Sequence, residues 1–571
     1  MPDSATHAAS DSPAKPHSSI KETVISLIIA FVVAFVFRGF VLEPFMIPTG
    51  SMAPTLMGAH MRFDDKHSGY DWTVNPWKFA DNSRQVPLPR QGNTNEPIVV
   101  HDPMSGREDR DVDIPLRSGD RIFVLKSVYS FFDPSRFDVV VFKYPGVTRG
   151  EPLGAQTNYI KRLVALPGEQ VAFIDGDVFT RPASLAKDNE ENPWAAEGWK
   201  IARKPERVQR AVWQPVFDSH HTPWNAQQGK AQFTPPWKGT TSGWNFGEPG
   251  KASPHYRFDA ATPTALAFAT DSNPITDWTA YNEFFQVPHY PVPPGPVVPQ
   301  GSGRIALYCF PVSDIRARCT LTPDADALSM SAFLSARGHE FRADLAGGQA
   351  IIRMRPAPSK DDADPAWKEL ASVPLPATAL KPARATAVEF WHVDQTLAVW
   401  VDGQRIVEAG YDWTPPERVL ASTGTSLDDA LAQENKTRGE WPLIEPKSYR
   451  QASFRFEFAG SKFTIHRAAL DRDLYYQPRE KNDRSLGLGI HPRTSQVLGP
   501  DHFLFCGDNS AASLDGRLWT DVDPFTANQI DDTVGVVHRN LLVGRAFCVY
   551  FPAPKPGSIP IPDAGRLRFI W

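Results

Sequence analysis

Apolar and polar positions along this chain fall into three patterns. The first is one unbroken apolar run: Thr23 to Phe37 reads TVISLIIAFVVAFVF without a charge, and Gly39 to Leu42 continue it past Arg38. With Arg38 snorkelling, residues 20–42 are enough to cross a hydrocarbon core that takes roughly 20 residues. The run is apolar on every face, whereas a core helix would be amphipathic. The sequence after it, RGFVLEPFMIP, is bulky where a cleaved signal peptide needs a small-x-small site. The pattern predicts a retained single transmembrane helix, and no second run of comparable length follows.

The second pattern is short apolar runs rich in β-branched and aromatic residues and bounded by Gly, Pro or Asp, which read as strands. RIFVLKSVY, FDVVVFKYP and TNYIKRLVALPGEQVAFIDG form one group, with a hairpin turn at Asp175-Gly176, and DHFLFCGDN and VGVVHRNLLVGRAFCVYF resume it near the C-terminus. After Gly303, runs such as RIALYCF, QAIIRMR, ATAVEFWHV, TLAVWVDGQRIV, SFRFEFAG and KFTIHRAAL follow at close spacing, with a turn at Asp402-Gly403, and predict an antiparallel sandwich. The third pattern is the lack of any sustained period, in 1–19, 57–117 and 183–300.

The expected fold is therefore mainly β. Residues 1–19 are a disordered cytoplasmic tail and 20–42 the transmembrane helix. A first β-domain occupies 43–56 and 118–182 and closes with 491–552. It is interrupted by an insertion at 57–117 and by a larger one, whose Trp/Pro-rich start is 183–300 and whose sandwich part is 301–490; 553–571 is a C-terminal tail. Insertions of this kind are tolerated at exposed loop tips. The positive-inside rule, with Lys15 and Lys21 on the N-terminal side and Arg38 on the other, votes for a cytoplasmic N-terminus and an exported remainder.

Composition sharpens this in a few places. The chain has 571 residues, and Lys+Arg 60 against Asp+Glu 65 gives a net charge of −5, too weak a bias for nucleic-acid binding. Its 54 Pro are nearly twice the usual share of about 5%, which argues against a mostly helical protein. Four cysteines, Cys309, Cys319, Cys506 and Cys548, exclude a disulfide-dense scaffold, and no Cys/His spacing offers a zinc site. Pairing of Cys309 with Cys319, or of Cys506 with Cys548, stays open, because Cα separations decide it. His220-His221, His466 and His538 have no nucleophile or carboxylate spacing around them and receive no role.

Three places carry candidate chemistry. In IPTGSMAPTL (47–56), Ser51 sits between Gly50 and Met52 just beyond the apolar run, and Thr49 can aim a hydroxyl where the Ser51 N–H points, an oxyanion geometry. In NYIKRLVALPGE (158–169), alternation puts Tyr159, Lys161 and Leu163 on one strand face and Ile160, Arg162 and Val164 on the other, so one of two adjacent cations can point inward. A buried, unpaired lysine loses its charge and can accept a proton near neutral pH. In FCGDNSAASLDGR (505–517), Ser513, Asp515 and Arg517 follow a Gly507-Asp508-Asn509 turn; read alone, Asp515 and Arg517 make a surface ion pair of little worth.

Together, IPTGSMAPTL, RFDVVVFKYP, YIKRLVALPGE and GDNSAASLDGR resemble, in order, the characteristic boxes of the type I signal peptidases, membrane-anchored Ser-Lys proteases that remove signal peptides from exported proteins. The resemblance covers residues 20–56, 118–180 and 495–552. It implies the family's antiparallel β-fold, with Ser51 as nucleophile, Lys161 as neutral general base, Ser513 orienting the Lys161 amine, and the Thr49 hydroxyl with the Ser51 N–H as oxyanion hole. It implies that Asp508, Asp515 and Arg517 hold the last loop. Pockets for an Ala-x-Ala site would be lined by Phe45, Ile47, Pro48, Met52, Leu56, Val141, Tyr159 and Ile160. No metal or organic cofactor is implied. The implied location is a bacterial inner membrane, with signal peptides of pre-proteins and the lipid bilayer as partners and the secretion translocon as a candidate one. Thr49 stands where many members have Ser, Phe137 where Gly is usual, and the Ser51 to Lys161 separation is stretched to 110 residues. FWHVDQTLAVWVDGQRI followed by FTIHRAALDRDLYY resembles a laminin-G or concanavalin-like jelly roll. That sandwich motivates an alternative of another class, a membrane-tethered glycan- or protein-binding module on a peptidase-like scaffold.

Overall fold

A computed structural model describes residues 20–571 apart from 77–97, 112–113, 149–153, 155–156, 188–189, 226, 229–230, 249–250, 284–285, 288–306, 437–440, 482–484 and 556–559. The tail 1–19 lies outside the described residues. The apolar run forms a helix over Ile20–Phe40, and its described apolar side chains, among them Val24, Leu27, Ile28, Phe31 and Val33, are exposed. Among the described residues no helix is long and apolar enough to cross a membrane.

The helix leads into the edge strand Leu42–Met46 of an antiparallel sheet. The order across that sheet is Leu42–Met46, Arg121–Leu125, Leu542–Phe551, Val139–Lys143, Asn158–Ala165, His502–Cys506 and Val537–His538. Strands close in space thus come from both ends of the chain, as a domain interrupted by insertions requires. The terminal segment is not a loose tail: Arg568–Phe569 pairs with Leu542–Phe551, and the Trp571 carbonyl accepts a hydrogen bond from Arg162 at 2.8 Å. A smaller sheet, Lys200–Ile201, Asp177–Pro182, Glu169–Ile174 and Gln496–Val497, stands beside it. Asp175 and Gly176 turn its hairpin with φ 50 and 83, the left-handed pair that a two-residue hairpin demands.

The sandwich has two antiparallel sheets around the largest apolar cluster, where Phe and Ile side chains such as Phe341, Phe390, Phe456, Ile315 and Ile465 are buried. It begins well before residue 301. Gln214–Asp218, Trp244–Glu248 and Lys251–Phe258 join one sheet, and Trp237–Gly239 and Thr264–Phe268 join the other. Most of these strands are short and several carry a Pro or Gly, so no period marks them in the sequence. The 57–117 segment also holds hairpins, Met61–Asp65 with Tyr70–Val74 and Ile98–His101 with Glu108–Asp111. None of the four cysteines is joined in a disulfide.

The sandwich is fastened to the smaller sheet by buried charges. Asp175 and Asp177, at the Glu169–Pro182 hairpin turn, meet Arg337 and Arg418 of the sandwich region, with Asp175 2.6 Å from Arg337 and 3.1 Å from Arg418. Asp314 pairs with Arg337 at 2.5 Å, and Lys204 bridges Asp394 (2.5 Å) and Asp473 (2.8 Å).

Candidate active site

Ser51 lies half-buried in a single 3-10 turn, Gly50–Met52, clamped by prolines on both sides. The approach behind it is close. A Cβ on Gly50 would meet the Tyr281 hydroxyl at 2.1 Å, and one on Gly507 would lie 2.4 Å from the Ser51 carbonyl oxygen, so side chains are excluded at both positions. Lys161 stands in the strand Asn158–Ala165, opposite Val140 on one neighbour, while the next residue, Arg162, faces Cys506 on the other.

Lys161 Nζ is 2.6 Å from Ser51 Oγ and donates to the Ile160 carbonyl at 3.1 Å. It lies 5.2 Å from the centre of the Tyr159 ring. The side chain is 4% exposed and no carboxylate pairs with it directly; burial lowers its pKa from 10.5 to about 8, with the Asp515 and Asp508 charges pulling weakly the other way.

Both cations of the Lys161-Arg162 pair are buried, where alternation alone sends one of them outward. The strand's inner half is covered on both faces, with Leu163 in one apolar cluster and Val164 and Ala165 in another. Arg162 survives there because Asp508 takes it with two hydrogen bonds, 2.7 and 2.6 Å, and its remaining donors reach the carbonyls of Phe137 and Trp571. Asp508 also accepts from the Thr55 hydroxyl at 2.6 Å, so one carboxylate ties the Ser51 loop to the Lys161 strand. Arg162 and Thr55 are contributions that sequence reasoning missed. The only available signal was the adjacency of Arg162 to a candidate base.

Asp515 and Arg517 are fully buried, not a surface pair. Arg517 donates twice to Asp515, at 2.9 and 2.8 Å, and the Gly507 N–H donates to it at 2.9 Å. Burial pushes the Asp515 carboxyl up, but Arg517 and these hydrogen bonds outweigh it and hold it below the usual carboxylate range. The Ser513 hydroxyl is buried beside Gly507 and helps to hold the Asp515 carboxyl down, and no hydrogen bond joins it to Lys161 among the described residues. Thr49 is exposed in extended backbone, and its hydroxyl makes no hydrogen bond to the turn.

Of the expected pocket residues, Ile47, Met52, Leu56 and Val141 are buried together in one cluster, with Phe45 and Ile160 on its edge. Tyr159 belongs instead to the cluster on the other side, stacked on Tyr144 at 4.3 Å, and Pro48 is exposed. Phe137, where Gly is usual in the resembling family, has φ 71, the left-handed region that a side chain resists. Its N–H donates to Leu163 O at 2.7 Å and its ring is buried, which holds it there.

Asp177, Asp314, Asp394 and Asp473 bring carboxylate oxygens within 4.8 Å of one another, the geometry of a cation site. Lys204, Arg337 and Arg418 already occupy these carboxylates, so a metal ion would have to displace protein cations.

Residues 20–109 and 108–209 match the model of the family described as "Signal peptidase, peptidase S26", a stretch that holds both Ser51 and Lys161. Signal peptidase I of Rickettsia typhi is 27% identical over 173 residues, 30% of this chain and 48% of that protein. Signal peptidase I of Rickettsia massiliae is 25% identical over 183 residues, 32% of this chain and 51% of the relative. The chain thus spans about half the length of the relatives it matches. Among solved structures, a carbohydrate-binding module from Bacillus subtilis overlaps 41% of this chain and 95% of its own at 7% identity, with a TM-score of 0.21. Through its N-terminal third, which carries the Ser51 and Lys161 boxes in family order, the chain is similar to the signal peptidases of peptidase family S26.

Proposed function

We propose that the protein is a membrane-anchored serine endopeptidase that removes signal peptides after an Ala-x-Ala-like site, using Ser51 and Lys161. The observation that carries this reading is the 2.6 Å approach of Ser51 Oγ to a buried amine whose pKa is brought down to about 8. A neutral Lys161 accepts the Ser51 hydroxyl proton as Oγ bonds to the scissile carbonyl carbon. The resulting oxyanion is met by the Ser51 N–H, which has no acceptor within its own turn, and by the Thr49 hydroxyl. The Lys161 ammonium then protonates the leaving amine as the C–N bond breaks, which leaves an acyl-enzyme. Water attacks that ester with Lys161 again taking a proton, and Ser51 leaves protonated. Asp508, Asp515 and Arg517 keep the loop in register, while the cluster around Ile47, Met52, Leu56 and Val141 backs the small-residue pockets.

The division into a peptidase core with inserted segments 57–117 and 183–490 belongs to the same reading, and so does the anchor. The helix Ile20–Phe40 has 21 residues, about 32 Å at 1.5 Å per residue, and exposes Ile25, Leu27, Ile29, Val32 and Phe35, a surface that a lipid core would cover. Ser51 then follows the helix end by 51 − 40 = 11 residues, close to the exported face of the bilayer where an emerging signal peptide is presented. Purified protein should cleave a model pre-protein at its Ala-x-Ala site, and Ser51→Ala or Lys161→Ala should abolish this. Cleavage surviving in either folded variant refutes the assignment.

A further inference from the structure

The 183–490 segment reaches the nucleophile directly. One of its 3-10 turns, Ala280–Asn282, packs against the Ser51 loop: Tyr281 lies against Gly50 and shares a small apolar cluster with Ala53 and Met57. Asn282, 0% exposed, exchanges hydrogen bonds with Asn509 of the last box, donating at 2.5 Å and accepting at 3.0 Å. Asn509 in turn donates from its side chain to the Gly50 carbonyl at 2.9 Å and from its backbone N–H to the Ser51 carbonyl at 3.0 Å. Carbonyls on both sides of the Ser51 N–H are therefore held by one asparagine, and that asparagine's rotamer is fixed by Asn282.

The turn is itself braced from the 57–117 segment. The Asn75 N–H donates to the Tyr281 carbonyl at 2.9 Å, and the His101 ring pairs with Glu283 at 2.7 Å. All of these groups are buried, so each loses free energy if its partner leaves, and the arrangement resists loosening.

We infer that Asn282 is a positioning residue for the Ser51 nucleophile, acting through Asn509, and that the 183–490 segment is consequently part of the catalytic apparatus. This rests on Ser51 being the nucleophile. In the other direction, the same chain of bonds offers a route by which whatever moves the sandwich would move the Gly50–Ser51 backbone.

The test uses the full-length protein in detergent, with a fluorogenic peptide containing an Ala-x-Ala site, and compares wild type with Asn282→Ala, Asn282→Ser and Ser51→Ala. Loss of the amide pair leaves Asn509 free to rotate, and misplacement of a nucleophile by about 1 Å costs on the order of 100-fold in rate. Asn282→Ala should lower kcat per folded active site roughly 10- to 100-fold while KM stays near wild type, with the unfolding temperature falling only as far as the loss of one buried amide pair requires. A purely structural role would instead lower the unfolding temperature and the active fraction without changing kcat per active site. Asn282→Ser, which leaves room for a bridging water, should recover part of the loss and serves as the readout if the alanine variant does not fold. A kcat within threefold of wild type in whichever variant is folded overturns the inference and leaves the peptidase reading standing. Activity surviving in Ser51→Ala overturns both.

Discussion

Lys161 gives the sharpest quantitative expectation. Its amine is held at about 8 against 10.5 for a free lysine, chiefly by burial. At about 1.4 kcal/mol per tenfold change this is roughly 3 kcal/mol of penalty on the ammonium form. The folded state binds this proton less tightly than the unfolded chain does. Linkage therefore makes stability rise with pH between about 8 and 10.5, and the penalty is carried in full below pH 8. The same displacement is what the proposed role of Lys161 as general base needs. At pH 7 an amine with a pKa of about 8 is neutral roughly one time in ten, whereas an ordinary lysine is neutral about once in 3,000, a gain of about 300-fold in competent base. Plotted as log kcat/KM for a peptide with no group titrating in the range, activity should climb with unit slope from pH 6, bend near 8 and level off above 9. Removing the buried counter-influences should move the bend: Asp515→Asn takes away the stronger of the two carboxylate charges that favour the ammonium, so the midpoint should fall further. A profile flat from pH 6 to 9, or one still climbing at pH 10, would refute the argument that desolvation of Lys161 creates the base.

Three further expectations follow from the same geometry. Asp508→Asn leaves the Arg162 guanidinium buried without its counter-charge and should cost about 3–5 kcal/mol in denaturant unfolding, part of which returns in Arg162→Met/Asp508→Leu; a double variant as unstable as the sum of its singles would show that the pair is not coupled. Gly507→Ala forces a methyl to within 2.4 Å of the Ser51 carbonyl, so kcat should fall on the order of 100-fold and the unfolding temperature should fall with it, and a fully active, fully stable enzyme would mean the loop accommodates the methyl freely. Phe137→Gly relieves a left-handed backbone worth about 1 kcal/mol but deletes a buried ring worth about 3–5 kcal/mol, so thermal unfolding should report net destabilisation, whereas a more stable variant would mean that backbone strain outweighs packing at this turn.

How much of this was legible depended on how locally each feature is encoded. The turns at Asp175-Gly176 and Asp402-Gly403 were readable because a two-residue hairpin needs left-handed backbone at adjacent positions, and the pairs supply φ 50 and 83, and 49 and 80. The closely spaced strands after Gly303 were readable from alternation. The first strands of the same sandwich, Gln214–Asp218 through Thr264–Phe268, were not, because each is either too short or broken by a Pro or Gly before a period accumulates. Phe137 was visible as a departure from a usual glycine that would reshape its turn, but the left-handed φ of 71 that it keeps was not legible, because a side chain resists that region.

The site divides along the same line. Ser51 and Lys161 announce themselves inside short boxes, but what fixes them is distant in sequence: Arg162 and Asp508 are 346 positions apart, Thr55 and Asp508 453, and Asn282 and Asn509 227. Buried polar groups must find partners somewhere, so a box that brings Arg162, Asp508 or Asn509 into a core implies a complementary residue without saying where it lies. For Asp508 the partners come from the other ends of the peptidase sheet, and so they travel with the boxes themselves. For Asn509 the partner comes from the 183–490 segment, which no box includes. A chain that places part of its nucleophile support in an inserted segment ties that segment's fold to its own chemistry, and the segment can then no longer be exchanged as a passive attachment.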